Sequence, residues 1–182
     1  MNYQKWIFVA IFLFGTGVAF GLATPASSSL PSEYITAFEE QFGSISALPK
    51  PFIALFIFLK NTSALLISFA LSPILCLVPI LALIINGWVI AFVSTLVIEE
   101  ESLGFLLAGL LPHGVFELPA LILGQAAALS FGAMVVLTLF KKERRNLLLP
   151  SLKQNLKYFV VALALLFPAA IIETYITPLL LG

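Results

Sequence analysis

Residues 51–98 read PFIALFIFLKNTSALLISFALSPILCLVPILALIINGWVIAFVSTLVI, and this stretch decides the fold. Lys60 is the only charged residue in it. A helix crosses a hydrocarbon core about 30 Å thick with about 20 apolar residues, so the stretch is long enough for two crossings. We infer that the segment lies in a lipid bilayer.

Two prolines indicate where this stretch reverses direction. Pro73 and Pro79 flank a short apolar segment, and each lacks the backbone N–H that a continuous helix uses. We therefore predict one span over residues 61–77 and another over residues 79–98, joined by a tight, uncharged turn. The preceding residues 52–59 either extend the first of these spans or continue a segment at the membrane surface.

The composition of the whole chain supports the same class of protein. Of 182 residues, 61% are hydrophobic and 10% are charged, whereas soluble domains carry about 25% charged residues. The apolar runs are unbroken rather than alternating, which predicts helices and not a β-barrel. We predict an all-α fold, a polytopic transmembrane helical bundle that forms a single integral membrane domain over residues 1–182. Its five spans cover residues 6–22, 61–77, 79–98, 115–140 and 158–175.

Two further segments are too short or too polar to cross the membrane. Residues 24–51 follow the first span, and apolar side chains recur in them at helical spacing from Tyr34 to Phe42. This pattern predicts an outer interfacial helix, or a helix that caps the outer face of the bundle. Residues 103–111 are apolar and precede Pro112. We expect a re-entrant segment or a short buried helix there.

The distribution of charge predicts the orientation of the bundle. Residues 141–157 contain six basic side chains, namely Lys141, Lys142, Arg144, Arg145, Lys153 and Lys157. Because cytoplasmic loops are enriched in Lys and Arg, this basic loop is predicted to be cytoplasmic. The protein is then a multi-pass protein of the cytoplasmic (cell) membrane, with its N-terminus inside and its C-terminus outside. The segment 24–51 and the acidic cluster Glu99–Glu101 fall on the outer side.

Five polar side chains within the spans are candidates for a site, because polar groups in lipid are costly and are usually paired or functional. His113 and Glu117 are four residues apart, so they share one face of a helix. Glu173 lies near the outer end of the last span, Asn61 begins the second span and Asn86 lies within the third. By the predicted topology, all five converge as a buried polar cluster in the outer half of the bundle.

The residues alone leave three uses of this cluster open. Hydrogen bonds among buried polar groups fix the register of membrane helices, and we favour this structural role. The second use is a protonatable site for a proton or a ligand. The third is a divalent metal such as zinc, with His113, Glu117 and Glu173 as ligands. No catalytic residue is assigned.

The segment LPHGVFELPA, residues 111–120, resembles the signature of the stage II sporulation protein M family. Residues 60–62, 86–87 and 173–178 resemble further family elements in the same order, so the resemblance covers residues from about 5 to 178. One difference is that the family often has paired asparagines where this chain has Asn61 and Thr62. The resemblance implies a five-span bundle in the cytoplasmic membrane. In spore formers, the namesake anchors a complex with cell-wall-degrading partners during engulfment.

Three functional hypotheses follow, and the first is a non-enzymatic membrane scaffold that recruits other membrane or envelope proteins at its outer surface. The second is a small transporter or channel component with a protonatable His/Glu site. The third is a metal-dependent intramembrane hydrolase, so enzymatic activity stays undecided, with a non-enzymatic role favoured. The expected partners are the lipid bilayer and other membrane or envelope proteins. The Gly- and Ala-rich face of residues 115–140 suits close helix packing; we favour packing within the chain, with the seam of a homodimer as the alternative. The sequence shows no basic face of the kind that binds nucleic acid, so we do not expect nucleic-acid binding.

Overall fold

The computed structural model describes residues 3–25 and 48–182, and every regular element in these ranges is helical. The six α-helices are α1 (Tyr3–Ala23), α2 (Lys50–Leu71), α3 (Leu77–Glu100), α4 (Leu103–Phe140), α5 (Leu148–Tyr175) and α6 (Thr177–Leu181), and a 3-10 helix (Lys142–Leu147) joins α4 to α5. In this part of the chain, five helices are long and apolar enough to cross a membrane. The predicted all-α class with five spans is therefore confirmed.

Helix α4 lies at the centre of the bundle and packs against each of the other five α-helices. In the most apolar 18-residue segment of α4, 56% of the residues are buried inside the protein. In the corresponding segments of the other four spans, the buried share is between 11% and 33%. The outer helices instead expose large apolar side chains, including Phe8, Phe12 and Phe52. Apolar surface of this extent is stable against lipid and not against water.

The Gly- and Ala-rich stretch of α4 lies in the interior. Residues 124–130 are all buried, and a Cβ atom on Gly124 would lie 2.9 Å from Leu65 Cδ2 of α2. The small side chains thus let neighbouring helices of the same chain approach α4. This face is occupied within the protein and is not available as the seam of a homodimer.

Helices α1 and α3 make a second close contact, backbone against backbone. A Cβ atom on Gly17 would collide with the carbonyl oxygen of Ile84, and one on Gly87 would collide with the carbonyl oxygen of Phe14. Only glycine fits at such an approach, which is a common way for membrane helices to pack. The contact fixes α3 beside α1.

The turn between α2 and α3 occupies residues 72–76, a few residues earlier than the sequence suggests. Leu75 and Cys76 adopt left-handed backbone conformations, with φ of 50° and 58°. The Cys76 Sγ donates a hydrogen bond to the carbonyl oxygen of Leu129 at 3.6 Å, and burial raises the pKa of this thiol. At its other end, the second span begins at Lys50, so residues 52–59 extend it.

Residues 103–111 are not a separate re-entrant segment or short buried helix, because they form the first turns of α4. Ser102 caps the helix by accepting a hydrogen bond from the Phe105 backbone N–H at 3.1 Å, and α6 packs against this part of α4. Pro112 and Pro119 lie inside the helix without ending it, since neighbouring helices can compensate for a missing hydrogen bond within a membrane protein. At about 1.5 Å per residue, α4 is longer than the hydrocarbon core is thick.

Of two segments that the sequence predicts outside the spans, 24–51 is mostly outside the described residues and 141–157 is described in full. Most of the outer segment 24–51, including its predicted interfacial helix, lies outside the described residues. The basic loop 141–157 is largely helical, and the 3-10 helix and the first turns of α5 carry all of its lysines and arginines except Lys141.

Candidate functional site: a polar centre between α2, α4 and α5

Helix α4 supplies two members of the site, and their spacing along the helix brings them together. His113 Nε2 lies 3.8 Å from Glu117 Oε2, with the two residues one helical turn apart. Their side chains are 14% and 34% exposed, so both are largely enclosed by the bundle and Glu117 is the more open.

Helix α5 brings a second carboxylate to the same point. His113, Glu117 and Glu173 each offer one ligand atom, and these three atoms all lie within 4.8 Å of one another. Helices α4 and α5 form the most extensive helix pair of the bundle, which fixes Glu173 opposite the first half of α4. Among the described residues, this is a group with the donor types and proximity to hold a metal ion.

Helix α2 adds the amide of Asn61. Its Nδ2 donates a hydrogen bond to Glu117 Oε1 at 3.0 Å, which leaves Oε2 as the carboxylate oxygen facing His113. The middle of α2 thus contacts Glu117 through Asn61.

The fifth predicted residue, Asn86 of α3, is close to the others without bonding to them. Its Nδ2 donates to the carbonyl oxygen of Ala82 in its own helix at 2.7 Å. Asn86 lines a cavity of about 250 Å³ together with Asn61, His113, Glu117 and Gln125. We call Asn61, Asn86, His113, Glu117 and Glu173 the polar centre.

Sequence reasoning missed three neighbours of the polar centre. Thr177, at the start of α6, has its hydroxyl 3.4 Å from His113 Nδ1. Deeper in the bundle, Ser68 of α2 donates a hydrogen bond to Gln125 Oε1 of α4 at 2.6 Å, and both residues are at most 2% exposed. A usable signal existed for Gln125, because it is the one amide side chain in a run of small and apolar residues. Ser68 and Thr177 carry no such signal, since hydroxyl side chains in membrane helices commonly bond to their own backbone.

The match to known sequences covers the whole polar centre. The sequence model described as stage II sporulation protein M matches residues 9–178, which include every residue from Asn61 to Thr177. The chain belongs to the stage II sporulation protein M family. This confirms the resemblance carried by residues 111–120 and supports a multi-pass membrane protein.

One relative of the stage II sporulation protein M type matches almost end to end. An uncharacterized protein of Methanocaldococcus jannaschii is 29% identical over 178 residues, covering 94% of this chain and 93% of the relative. No solved structure matches the chain. The similarity therefore extends over all five spans and not over an isolated motif.

Proposed function

We propose that this protein is a non-enzymatic membrane scaffold that anchors and organises partner proteins at the cell membrane. The observation that carries the proposal is that polar side chains inside the bundle form hydrogen bonds between α4 and other helices. Asn61 and Ser68 of α2 bond to Glu117 and Gln125. These two bonds tie α2 to α4.

The contacts to α4 come from both ends of the chain. The Tyr3 hydroxyl of α1 donates to the carbonyl oxygen of Leu123 at 2.8 Å, and His113 contacts Thr177 of α6. Hydrogen bonds between membrane helices contribute about 0.6 kcal/mol each on average. A bundle held in one register presents its outer segments in fixed relative positions, which is what a platform for partners requires.

We place partner recruitment on the outer side, at the segment 24–51 and the acidic end of α3 at Glu99–Glu101. The basic residues between α4 and α5 then face the cytoplasm, and the N-terminus lies inside.

The scaffold proposal is tested by crosslinking in the membranes of the source cells. Residues 26–47 are replaced by a glycine–serine linker of equal length, and partners crosslinked to wild type and variant are compared by mass spectrometry. The proposal expects a defined set of envelope proteins that is reproducible with wild type and lost with the linker variant. A matched control carries the same 26–47 residues in scrambled order, which preserves composition and charge.

The crosslinking result is decisive only if the linker variant is folded and inserted in the membrane. Both are checked by the protection of the buried Cys76 thiol against a thiol reagent. A folded linker variant that retains every partner and complements a deletion strain fully contradicts recruitment through this segment. A wild-type protein without reproducible partners contradicts the scaffold itself.

The cavity favours one second candidate, a transporter or channel component. Glu117 is 34% exposed and lines a cavity of about 250 Å³ that contains four of the five residues of the polar centre. A partly open carboxylate beside an imidazole is suited to carrying a proton. In liposomes with an internal pH dye, this candidate expects proton flux above that of empty vesicles, abolished by Glu117→Gln. Flux equal to empty vesicles would remove it.

A further inference from the structure

We propose that His113, Glu117 and Glu173 bind one divalent transition-metal ion of the Zn²⁺ type between α4 and α5. The inference goes beyond the scaffold and does not depend on partner recruitment, since it concerns the purified protein alone. It rests on one imidazole and two carboxylates whose ligand atoms lie within 4.8 Å of one another.

The distance between His113 and Glu117 fits a shared ion better than a direct hydrogen bond. Nε2 and Oε2 are 3.8 Å apart, whereas a direct N–H···O bond is about 2.7–3.2 Å. Two ligand atoms on one tetrahedral zinc ion, with bonds of about 2.0–2.2 Å, are about 3.4 Å from each other. Side-chain shifts on the order of 1 Å would bring all three ligand atoms onto one ion.

Both α4 ligands have outer partners of the kind that metal ligands use. Asn61 holds one oxygen of Glu117 at 3.0 Å and leaves the other free toward His113. Thr177 lies 3.4 Å from Nδ1 of His113 and leaves Nε2 directed at Glu117. Such partners fix the orientation of a ligand, and their loss typically weakens metal binding about 10- to 100-fold.

Charge balance supports a cation at this point. Two carboxylates within 4.8 Å of each other repel in the weakly polarisable interior of a membrane bundle. Lys60, the residue before Asn61, has an exposed side chain. A divalent ion compensates both carboxylates at once and binds the imidazole as a neutral ligand.

The ligand set determines the kind of ion. Mg²⁺ and Ca²⁺ prefer sites made of oxygen ligands, whereas an imidazole with carboxylates suits Zn²⁺, Mn²⁺, Fe²⁺ or Co²⁺. Three protein ligands leave at least one coordination position open. The adjoining cavity of about 250 Å³ has room for the waters that would fill it.

The test uses Co²⁺, which reports its coordination through visible absorption. The full-length protein is purified in detergent, stripped with a chelator and titrated with Co²⁺, and the bound ion is then displaced with Zn²⁺. We expect one Co²⁺ per chain, a visible absorption band that Zn²⁺ removes, and a higher unfolding temperature with Zn²⁺. His113→Gln and Glu173→Gln should each weaken binding at least about tenfold.

Two further variants separate a built site from an adventitious one. Asn61→Leu and Thr177→Val remove only the outer partners, and each should weaken Co²⁺ binding about tenfold or more. Glu99→Gln, an exposed carboxylate at the end of α3, should leave it unchanged. Equal binding by wild type, His113→Gln and Glu173→Gln overturns the proposal, because the ion is then held elsewhere. If the variants fail to fold, the Co²⁺ titration of the wild-type protein decides the question. A wild-type protein that shows no saturable Co²⁺ binding below about 1 mM overturns the proposal.

Discussion

Asn61 of α2 and Glu117 of α4 are joined by a hydrogen bond of 3.0 Å between Nδ2 and Oε1, although 56 residues separate them in the chain. The bond connects the middle of α2 to the interior of the central helix α4. It also orients the Glu117 carboxylate so that its second oxygen faces His113. A single amide therefore contributes both to the register of the bundle and to the geometry of the polar centre.

The glycine contact between α1 and α3 gives the first prediction. Gly17→Ala adds a Cβ atom against the carbonyl oxygen of Ile84, so α1 and α3 must separate. Overpacking of this kind costs about 1–3 kcal/mol. Gly15→Ala in the same helix is the matched control, because nothing lies within 4 Å of its added Cβ. Thermal unfolding in detergent should detect a loss for Gly17→Ala only; equal behaviour of the two variants would contradict the described α1–α3 contact.

The buried Ser68–Gln125 pair predicts a non-additive pattern. The bond length is 2.6 Å, and both side chains are almost fully enclosed. Ser68→Ala leaves the Gln125 carbonyl oxygen without its partner, at a cost of about 1–3 kcal/mol, whereas removing both polar groups is close to neutral. The double variant Ser68→Ala with Gln125→Leu should thus be more stable than Ser68→Ala. Reversible unfolding measures this, and additive losses would show that the two side chains do not interact.

Thr62 makes the opposite prediction, because its buried hydroxyl oxygen has no hydrogen-bond partner among the described residues. Thr62→Val keeps the shape of the side chain and removes the unpaired group, so stability should rise by up to about 1 kcal/mol. The matched control is Thr138→Val, since the buried Thr138 hydroxyl does donate, to the Val135 carbonyl oxygen at 2.7 Å. Unfolding midpoints should move in opposite directions. A clear loss for Thr62→Val would show that the hydroxyl is paired in the membrane.

How far the sequence predicts this molecule depends on how much of each element its own residues determine. The five spans could be predicted because lipid requires long apolar runs with internally satisfied backbones. The polar centre was predictable for the same reason, since a histidine and two glutamates have few stable positions within those runs. The structure brings His113, Glu117 and Glu173 together, with Asn61 bonded to Glu117 and Asn86 lining the adjoining cavity.

The features that could not be predicted depend on contacts between distant segments. Pro112 indicates a break in isolation, yet α4 continues through it because α6 and other helices pack around this part of the chain. The second span begins at Lys50 and not at Asn61, since local composition does not say whether residues 52–59 find neighbours in α5. The Thr177 contact to His113 likewise depends on how the chain turns after α5.

The single cysteine provides a fourth prediction. Cys76 is buried, and burial raises the pKa of its thiol, so less of the reactive thiolate is present at any given pH. Its reaction with a maleimide should be at least about tenfold slower than after unfolding, and its rate should level off at a higher pH than the rate of an exposed thiol. Glu101→Cys, exposed in the α3–α4 loop, is the control in a Cys76→Ser background. Equal rates at the two positions in folded protein would contradict the packing of the α2–α3 turn on α4.

Polar side chains join the helices of this bundle to one another, and the coupling between Asn61 and Glu117 tests this most directly. The free energy of unfolding is measured in chelator-treated detergent solution for wild type, Asn61→Ala, Glu117→Ala and the double variant. We predict a coupling energy of about 0.5–1.5 kcal/mol, against none for the control pair of Asn61 with the exposed Glu99. A coupling between Asn61 and Glu117 no larger than that of the control pair would contradict the account.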